Sequence, residues 1–414
     1  MDKWLIIGGG IHGTCSAIAL LEEGVAAADI AILDPHHHLL ARWQQQTQRT
    51  GMSYLRSPGV HHLHPDPLHL HRFALQRPQP AGTHHQNFML PHYRPSLELF
   101  QAHCEALIHE YQLDQRLISA RAQGLSRPSP SQFTVETSLG LLHARYLILA
   151  MGVGEQLYWP DWAKPFKKRD SPIQHLYDPN PLPTLQEERL VIVGGGLSAV
   201  QFAITASRQS SRPVMLLMRH PLRIHAFDSD PGWLGPKKLN NFQQIPDFAL
   251  RRRLIDKARH RGSVPLDVAQ QLWRALREKR IQLIHDQITG VTIHRNQSLQ
   301  LHLDKQADPL LADRVVLATG FGRQRPGGKW LEKAVAELGL PVHTDNYPFV
   351  DACLRWTEGI FVTGPLAELE LGPAARNIAG ARMAAARISA SPEAKDASKR
   401  TALSSPGALL PPAS

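Results

Sequence analysis

Cysteine is scarce in this chain of 414 residues: there are three, Cys15, Cys104 and Cys353, and they stand far apart. No Cys-x-x-Cys occurs, so neither a disulfide framework nor a redox dithiol can be read from the sequence. Long apolar runs are also missing. None reaches the ~18–20 residues that a membrane span needs. Acidic residues are outnumbered, 36 Asp and Glu against 46 Lys and Arg, for a net charge of +10. The basic residues are spread along the chain and no nucleic-acid motif accompanies them, so nucleic acid is not expected as a partner. A basic surface with sites for anionic ligands is the simpler reading. Met1-Asp2-Lys3 runs straight into an apolar strand, unlike a signal peptide. With so little cysteine, the expected compartment is the reducing cytoplasm.

The length suggests two or three domains. Apolar residues make up 43% and charged residues 20%, as in globular chains. Two βαβ units are legible. The first runs from Lys3 to about Asp34, with a helix from Ile11 to Glu23 capped by Gly24. Residues 35–91 read as long, partly irregular loops, and Pro95 to Tyr111 as an amphipathic helix. Tyr146 to Gly152 is a buried strand ending in glycine. Residues 153–188 hold six prolines and suit a domain crossover. The second unit follows, with its own second strand at Val214 to Met218 and a polar helical insertion at about 225–280. Asp313 to Phe321 repeats the strand-to-glycine pattern. The expected fold class is α/β, with two Rossmann-like domains, the second inserted in the first. The expected boundaries are 1–185, 186–310 and 311–390, followed by a disordered tail at 391–414.

Two glycine fingerprints carry the chemistry. Gly8-x-Gly10-Ile11-x-Gly13 follows the strand Trp4 to Ile7. Gly8 permits the tight turn, Gly10 lets backbone amides approach a pyrophosphate, and Gly13 lets the helix pack close to the strand. The helix N-terminus then faces the phosphates. Asp34 ends the second strand, where a carboxylate accepts from a ribose diol and repels a 2′-phosphate. This suits FAD or NAD. Gly372-Pro373 is expected to open the last helix, with Arg376 and Asn377 near its first turn. That helix N-terminus favours the negative charge of a reduced flavin, so the first loop is assigned to FAD.

The second fingerprint is Gly194-x-Gly196-x-Ser198-Ala199. Its second strand ends at Arg219, with Arg223 close behind and no acid where Asp34 stands in the first unit. A guanidinium there pairs with a 2′-phosphate, so this loop is assigned to NADPH. The basic run Arg251, Arg252, Arg253, Lys257, Arg259 and Arg261 reads as a solvated helix face.

With both loops in place, the chain resembles the two-dinucleotide-binding flavoproteins, and among them the N-hydroxylating lysine and ornithine N-monooxygenases. Asp313-x-x-x-Leu317-Ala318-Thr319-Gly320-Phe321 is similar to that branch's Asp-x-x-x-Leu-Ala-Thr-Gly-(Tyr/Phe) element. The insertion after the NADPH strand is similar too, as is the closing Gly364-Pro365 with Leu371-Gly372-Pro373. The likeness implies that Gly152, Thr319, Gly320, Gly364, Gly372, Pro373 and Asn377 line the cofactor sites. It also implies that the stretch after Asp34, with Arg42 and Trp43, folds over the flavin ring. The chain departs from the family in its substrate region. Ile11 stands where the family has proline, no Asn-Glu-x-Phe occurs in the insertion, and Arg261-Gly262-Ser263-Val264-Pro265 replaces a Thr-Asn-Tyr stretch. The Phe-x-Gly-x-x-x-His fingerprint of related branches is not met between Phe166 and His175.

The resemblance implies that NADPH reduces FAD and that O2 is then activated as a flavin C4a-(hydro)peroxide, which hydroxylates a small nucleophilic, amine-type substrate. No acid–base triad is needed, and no catalytic side chain is assigned. Two other readings stay open: an NAD(P)H:acceptor oxidoreductase without a dithiol, and a flavin- and nucleotide-binding protein without catalysis. Assembly as a homo-oligomer is compatible with the sequence. Thirteen of the 23 histidines lie between His36 and His109. No zinc-type spacing with an acid or cysteine accompanies them, so no metal is expected.

Overall fold

The structure is a computed structural model that describes residues 3–77, 87–168, 171–180, 182, 188–294 and 298–404. Short apolar runs without alternation, such as Trp4–Ile7 and Leu190–Val193, become strands buried on both faces, as parallel sheets require. They form two sheets.

The first sheet runs, edge to edge, Arg355–Thr357, Ile360–Val362, Tyr146–Leu149, Trp4–Ile7, Ile30–Asp34, Leu117–Ser119. All neighbours are parallel except the Arg355–Thr357 edge. Ile6 sits opposite Ile32 on one side and Ile148 on the other. Trp4 anchors the far end of the core, with its ring 4.6 Å from Tyr146 and 5.5 Å from Phe361. The helix Ile11–Glu22 packs against the alanine-rich helix Ile378–Ser389.

The second sheet is wholly parallel, in the order Ile173–His175, Arg314–Leu317, Leu190–Val193, Val214–Met218, Ile281–His285. The strands at 173–175 and 314–317, placed in the first domain by the sequence boundaries, therefore pair in the second. Their apolar pattern fits either sheet, and only pairing decides. Asp313 explains the register. Its carboxylate takes both the backbone N–H and the guanidinium of Arg189 (2.6–3.0 Å), aligning the starts of two adjacent strands.

The two domains repeat one plan. Each carries a three-stranded antiparallel meander, Ala122–Ser129 to Gly140–Ala144 in the first and Ile288–Ile293 to Leu310–Ala312 in the second. Each meander feeds the strand that ends at a glycine, Gly152 or Gly320.

Two expectations at the C-terminus change. Gly372–Arg376 is a single 3-10 turn, and the helix proper starts at Ile378 with Asn377 as its N-cap. The segment read as a disordered tail is helical over Pro392–Ser404. Ala394 and Ala397 are buried there, and the Ser398 hydroxyl donates to the Glu23 carbonyl at 2.7 Å. Its polar composition hid one thin apolar stripe. Residues 405–414 lie outside the described residues.

Candidate functional site

The first fingerprint is built for close approach. Gly8 has φ +117°, and a Cβ there would stand 2.6 Å from the Ala150 carbonyl oxygen. A Cβ on Gly13 would stand 1.8 Å from the Gly8 oxygen, so the helix can lie on the strand only with glycine. Gly10 caps the helix in an extended conformation, has no side-chain cap, and nothing stands within 4 Å of its Cβ position. The backbone N–H groups of Ile11 and its neighbours in the first turn are thus left for a ligand. Asp34 holds the loop, with Oδ2 accepting from Gly9 N at 2.7 Å and Oδ1 from His36 N at 3.0 Å. Arg42 lies beside Asp34 and Glu155; burial lowers its pKa, and these carboxylates oppose that.

The C-terminal segment closes over this loop. His12 Nδ1 lies 2.8 Å from Thr363 Oγ1. The Cβ position of Gly364 (φ +64°) faces the His12 ring at 3.5 Å. Burial pushes the His12 pKa down to about 4, against a smaller raising contribution from the Arg376 carbonyl. Its Nε2 is buried and makes no hydrogen bond. Asn377 accepts from Gly380 N at 2.9 Å and points its Nδ2 at Asp228 Oδ1, 3.4 Å away in the insertion. Gly372 (φ +72°) lets the chain turn against the Trp233 ring, and Pro373 is buried beside it.

The second fingerprint repeats the geometry. Gly194 has φ +149°, and a Cβ there would meet the Ala318 oxygen at 2.5 Å. Gly196 is again an extended cap without a side-chain bond. Its Cβ position lies 3.5 Å from Gly262 Cα, so the segment 259–263 borders the place where phosphates would sit. Ser198 Oγ accepts from Tyr177 OH at 2.6 Å, and the Tyr177 ring stacks on Phe321 at 5.5 Å. Ala199 is buried against this turn. Thr319 donates to the Tyr158 carbonyl, and Gly320 (φ +82°) is open on its Cβ side. Arg219 is exposed, and Arg223 Nη1 donates to the Arg261 carbonyl at 3.3 Å.

The insertion joins the two sites. Arg56, from the loop after Asp34, donates to the carbonyls of His225, Ala226 and Phe227 at 2.7–3.1 Å. The basic run is only half solvated: Arg253, Lys257 and Arg261 are exposed, whereas Arg251 and Arg252 are docked. Arg251 is buried, with Nη1 donating to the Leu369 carbonyl at 2.9 Å and pairing with Glu370 at 3.2 Å. Arg252 pairs with Asp345 and with Glu368, which also takes Arg376 at 2.6 Å. Arg253 alone of the three stays exposed. Trp43 packs on Phe100, with centroids 5.2 Å apart, and so belongs to the core side of its helix. Gly152 is exposed at its strand end.

The histidine-rich stretch is divided: His37, His38, His71, His92 and His109 are exposed, while a few rings reach the core. His62 and His103 are fully buried, and His69 Nδ1 lies 2.8 Å from His103 Nε2. Among the described residues no group of three or more His, Cys, Asp or Glu is arranged to hold a metal. No helix among them is long and apolar enough to cross a membrane. Cys15 and Cys104 are buried, and burial raises the Cys15 thiol to about 12, so neither is poised as a thiolate.

A family model described as pyridine nucleotide-disulphide oxidoreductase matches residues 2–386. The chain belongs to this family. It is an oxidoreductase that works with FAD and NADPH. Both fingerprints fit such groups: bare glycine cradles under uncapped helix N-termini, plus an orphaned buried nitrogen on His12. No curated protein sequence matches the oxidoreductase. Among solved structures it is similar to the cadaverine monooxygenase of Erwinia amylovora, at 15% identity and TM-score 0.70, with 93% of this chain and 94% of that one covered. It is similar to L-lysine 6-monooxygenase from Pseudomonas syringae, at 17% identity and TM-score 0.70, covering 97% and 100%. It is also similar to bacillithiol disulfide reductase from Bacillus cereus, at 17% identity and TM-score 0.59, covering 96% and 99%. At these identities the likeness is one of fold.

Sequence reasoning did not single out His12, Tyr177 or Glu368, and it read Arg56 only as part of the stretch after Asp34 that folds over the flavin. His12 was legible in principle, since it stands inside the first fingerprint. Arg56 and Glu368 act between segments of the two domains, and Tyr177 joins three separate segments of the second, which no local pattern encodes.

Proposed function

We propose that this oxidoreductase is an NADPH-dependent FAD monooxygenase that hydroxylates a small amine-type substrate. The observation that carries the reading is two dinucleotide cradles with no exposed thiol pair beside them. The family name implies a disulfide, but Cys15 lies buried in the first helix with its thiol pushed up to about 12. Electrons therefore have no dithiol to pass through. The fold likeness to two amine monooxygenases supports the same choice.

Bound FAD supplies the two-electron step between NADPH and O2. The balance is amine, O2, NADPH and a proton giving hydroxylamine, water and NADP+. The protein's part is to bind, orient and exclude water. Gly8, Gly10, Ile11 and Gly13 would hold the FAD pyrophosphate, Asp34 with Arg42 the ribose end, and Gly152 would line the pocket. Gly364, Gly372, Pro373 and Asn377 would close the flavin side. Gly194, Gly196, Ser198 and Ala199 would hold NADPH, with Thr319 and Gly320 beside them and Arg219 and Arg223 at the 2′-phosphate. His12 is neutral at pH 7, because its pKa is held near 4. Its Nδ1 pairs with Thr363 Oγ1, and its buried Nε2 is available to a bound cofactor.

The likeness to bacillithiol disulfide reductases supports a second reading, a reductase that passes electrons to an external acceptor. Measuring NADPH oxidation in air with L-lysine, L-ornithine and cadaverine separates the two. Substrate-stimulated NADPH oxidation with little H2O2 release supports monooxygenation. Full conversion of O2 to H2O2 with every amine, alongside rapid reduction of a quinone or disulfide, would replace it with the acceptor reductase.

A further inference from the structure

The two domains share one strand plan, and the pairing registers identify equivalent positions. Val362 sits opposite Leu149 as His175 sits opposite Leu317, and Leu149 and Leu317 in turn pair with the strands that lead into the two fingerprints. Two residues further on, Gly364 of the first domain corresponds to Tyr177 of the second. Gly10 and Gly196 cap the two fingerprint helices, so His12 corresponds to Ser198. The same corner of each cradle is therefore built differently. In the first, the Cβ position of Gly364 faces the His12 ring at 3.5 Å. In the second, a whole phenol stands there, with Tyr177 OH donating to Ser198 Oγ at 2.6 Å.

Tyr177 is held at both its backbone and its ring. Its N–H donates to Nδ1 of the fully buried His175 at 3.1 Å. Its ring lies parallel to that of Phe321, with 2° between the planes and 5.5 Å between centroids. Phe321 follows Gly320 directly and bridges to Leu157. The hydroxyl is thereby fixed on Ser198. Burial raises the Tyr177 pKa, against a smaller lowering from Ser198, so the phenol keeps its proton at pH 7. A serine hydroxyl has one proton and two acceptor lone pairs. With Oγ accepting from Tyr177, the serine's own proton remains to be given. Among the described residues Ser198 makes no other side-chain hydrogen bond. It stands second in the helix Leu197–Gln209, beside backbone N–H groups that Gly196 leaves uncapped. An anion at that helix start meets the Ser198 proton together with them.

We propose that Tyr177 is a positioning residue for the nicotinamide nucleotide: it occupies the acceptor side of Ser198 and so turns the serine proton toward the pyrophosphate. The role rests on the reading of the second fingerprint as the NADPH cradle given under Proposed function. The pyrophosphate is common to NADPH and NADH, whereas Arg219 and Arg223 address the 2′-phosphate that only NADPH carries. Tyr177 therefore sets the affinity for either nucleotide and leaves the choice between them alone.

The test is equilibrium binding by calorimetry to FAD-loaded enzyme. The probes are NADP+, NAD+ and 2′-AMP, which carries the 2′-phosphate but no pyrophosphate. Tyr177→Phe keeps the ring and its stack on Phe321 and loses only the donor. It should weaken NADP+ and NAD+ by the same factor, about 3- to 10-fold. Affinity for 2′-AMP should change about twofold at most, which a merely structural disturbance of the cradle would not give. Ser198→Ala should weaken both dinucleotides, and adding Tyr177→Phe to it should cost about twofold more at most, since the tyrosine acts through the serine. Ser198→Thr keeps the hydroxyl and should keep the Tyr177 effect. Flavin content and Tm show that the variants are folded. Unchanged dinucleotide binding in Tyr177→Phe, equal weakening of 2′-AMP, or full additivity with Ser198→Ala would overturn the role. Wild type that binds neither NADP+ nor NAD+ would sink the cradle assignment beneath it. Dinucleotide binding that depends on Tyr177 in an enzyme that hydroxylates no amine would keep the role and sink the monooxygenase reading instead.

Discussion

Arg252 of the insertion and Glu368 of the returning C-terminal segment form an ion pair 116 residues apart in sequence, with Glu368 1% exposed. Arg376 completes the group from the other side. The pair ties the insertion over the nucleotide domain to the turn that precedes the flavin-side helix. Burial would raise the Glu368 pKa, but the Arg376 bond and the charges of Arg376 and Arg252 outweigh it and lower the pKa. Its contribution to stability is therefore present above the unfolded carboxyl value and is lost as pH falls through the folded one. Glu368→Gln leaves Arg376 without a carboxylate and Arg252 with Asp345 alone, and should cost about 3 kcal/mol. Urea unfolding at pH 7 checks this; a change under 1 kcal/mol would show that the pair is solvated.

Gly13→Ala should lose FAD and about 3 kcal/mol or more of stability. The new methyl would start 1.8 Å from the Gly8 oxygen, so the helix must retreat from the strand. The flavin-to-protein absorbance ratio and Tm report it. A variant with full flavin content and unchanged Tm would contradict the close packing.

The histidine cluster predicts acid sensitivity. Burial lowers the His103 pKa to about 2, with smaller like-charge contributions from His62, His69 and His64. Burial likewise lowers His62 to about 3. A histidine near 6.5 when unfolded and far lower when folded contributes fully above 6.5, and its contribution falls as pH drops toward the folded value. Each such residue should remove about 1.4 kcal/mol per pH unit between pH 6 and 4. Replacing the ring in His103→Leu should flatten the pH dependence of unfolding by one proton's worth. An unchanged slope would mean that the ring protonates in place.

Arg219→Ala should raise the KM for NADPH on the order of 10-fold and leave NADH nearly unchanged. Arg219 is exposed and makes no ion pair among the described residues, so it is available to a phosphate. Equal effects on both nucleotides would remove it from the 2′-phosphate site.

Both cradles were legible in the sequence because glycine spacing, an apolar strand and a helix start are local. Asp34 was legible for the same reason, as it must end the second strand. The strands at 173–175 and 314–317 were not, because a buried apolar run carries no mark of the sheet that it joins. The docking of Arg251 and Arg252 was hidden too. A basic run on a helix looks solvated until Glu368, Glu370 and Asp345 arrive from distant segments. Trp43 looked available to a flavin ring, but its helix turns it onto Phe100.

The central claim is that electrons from NADPH leave through O2 onto a substrate nitrogen. The most direct measurement is turnover of NADPH and L-lysine under 18O2, with mass analysis of the product. The account predicts a hydroxylamine carrying one 18O atom per NADPH oxidised, with little H2O2. Unlabelled, unchanged lysine together with one H2O2 per NADPH, across lysine, ornithine and cadaverine alike, would contradict it.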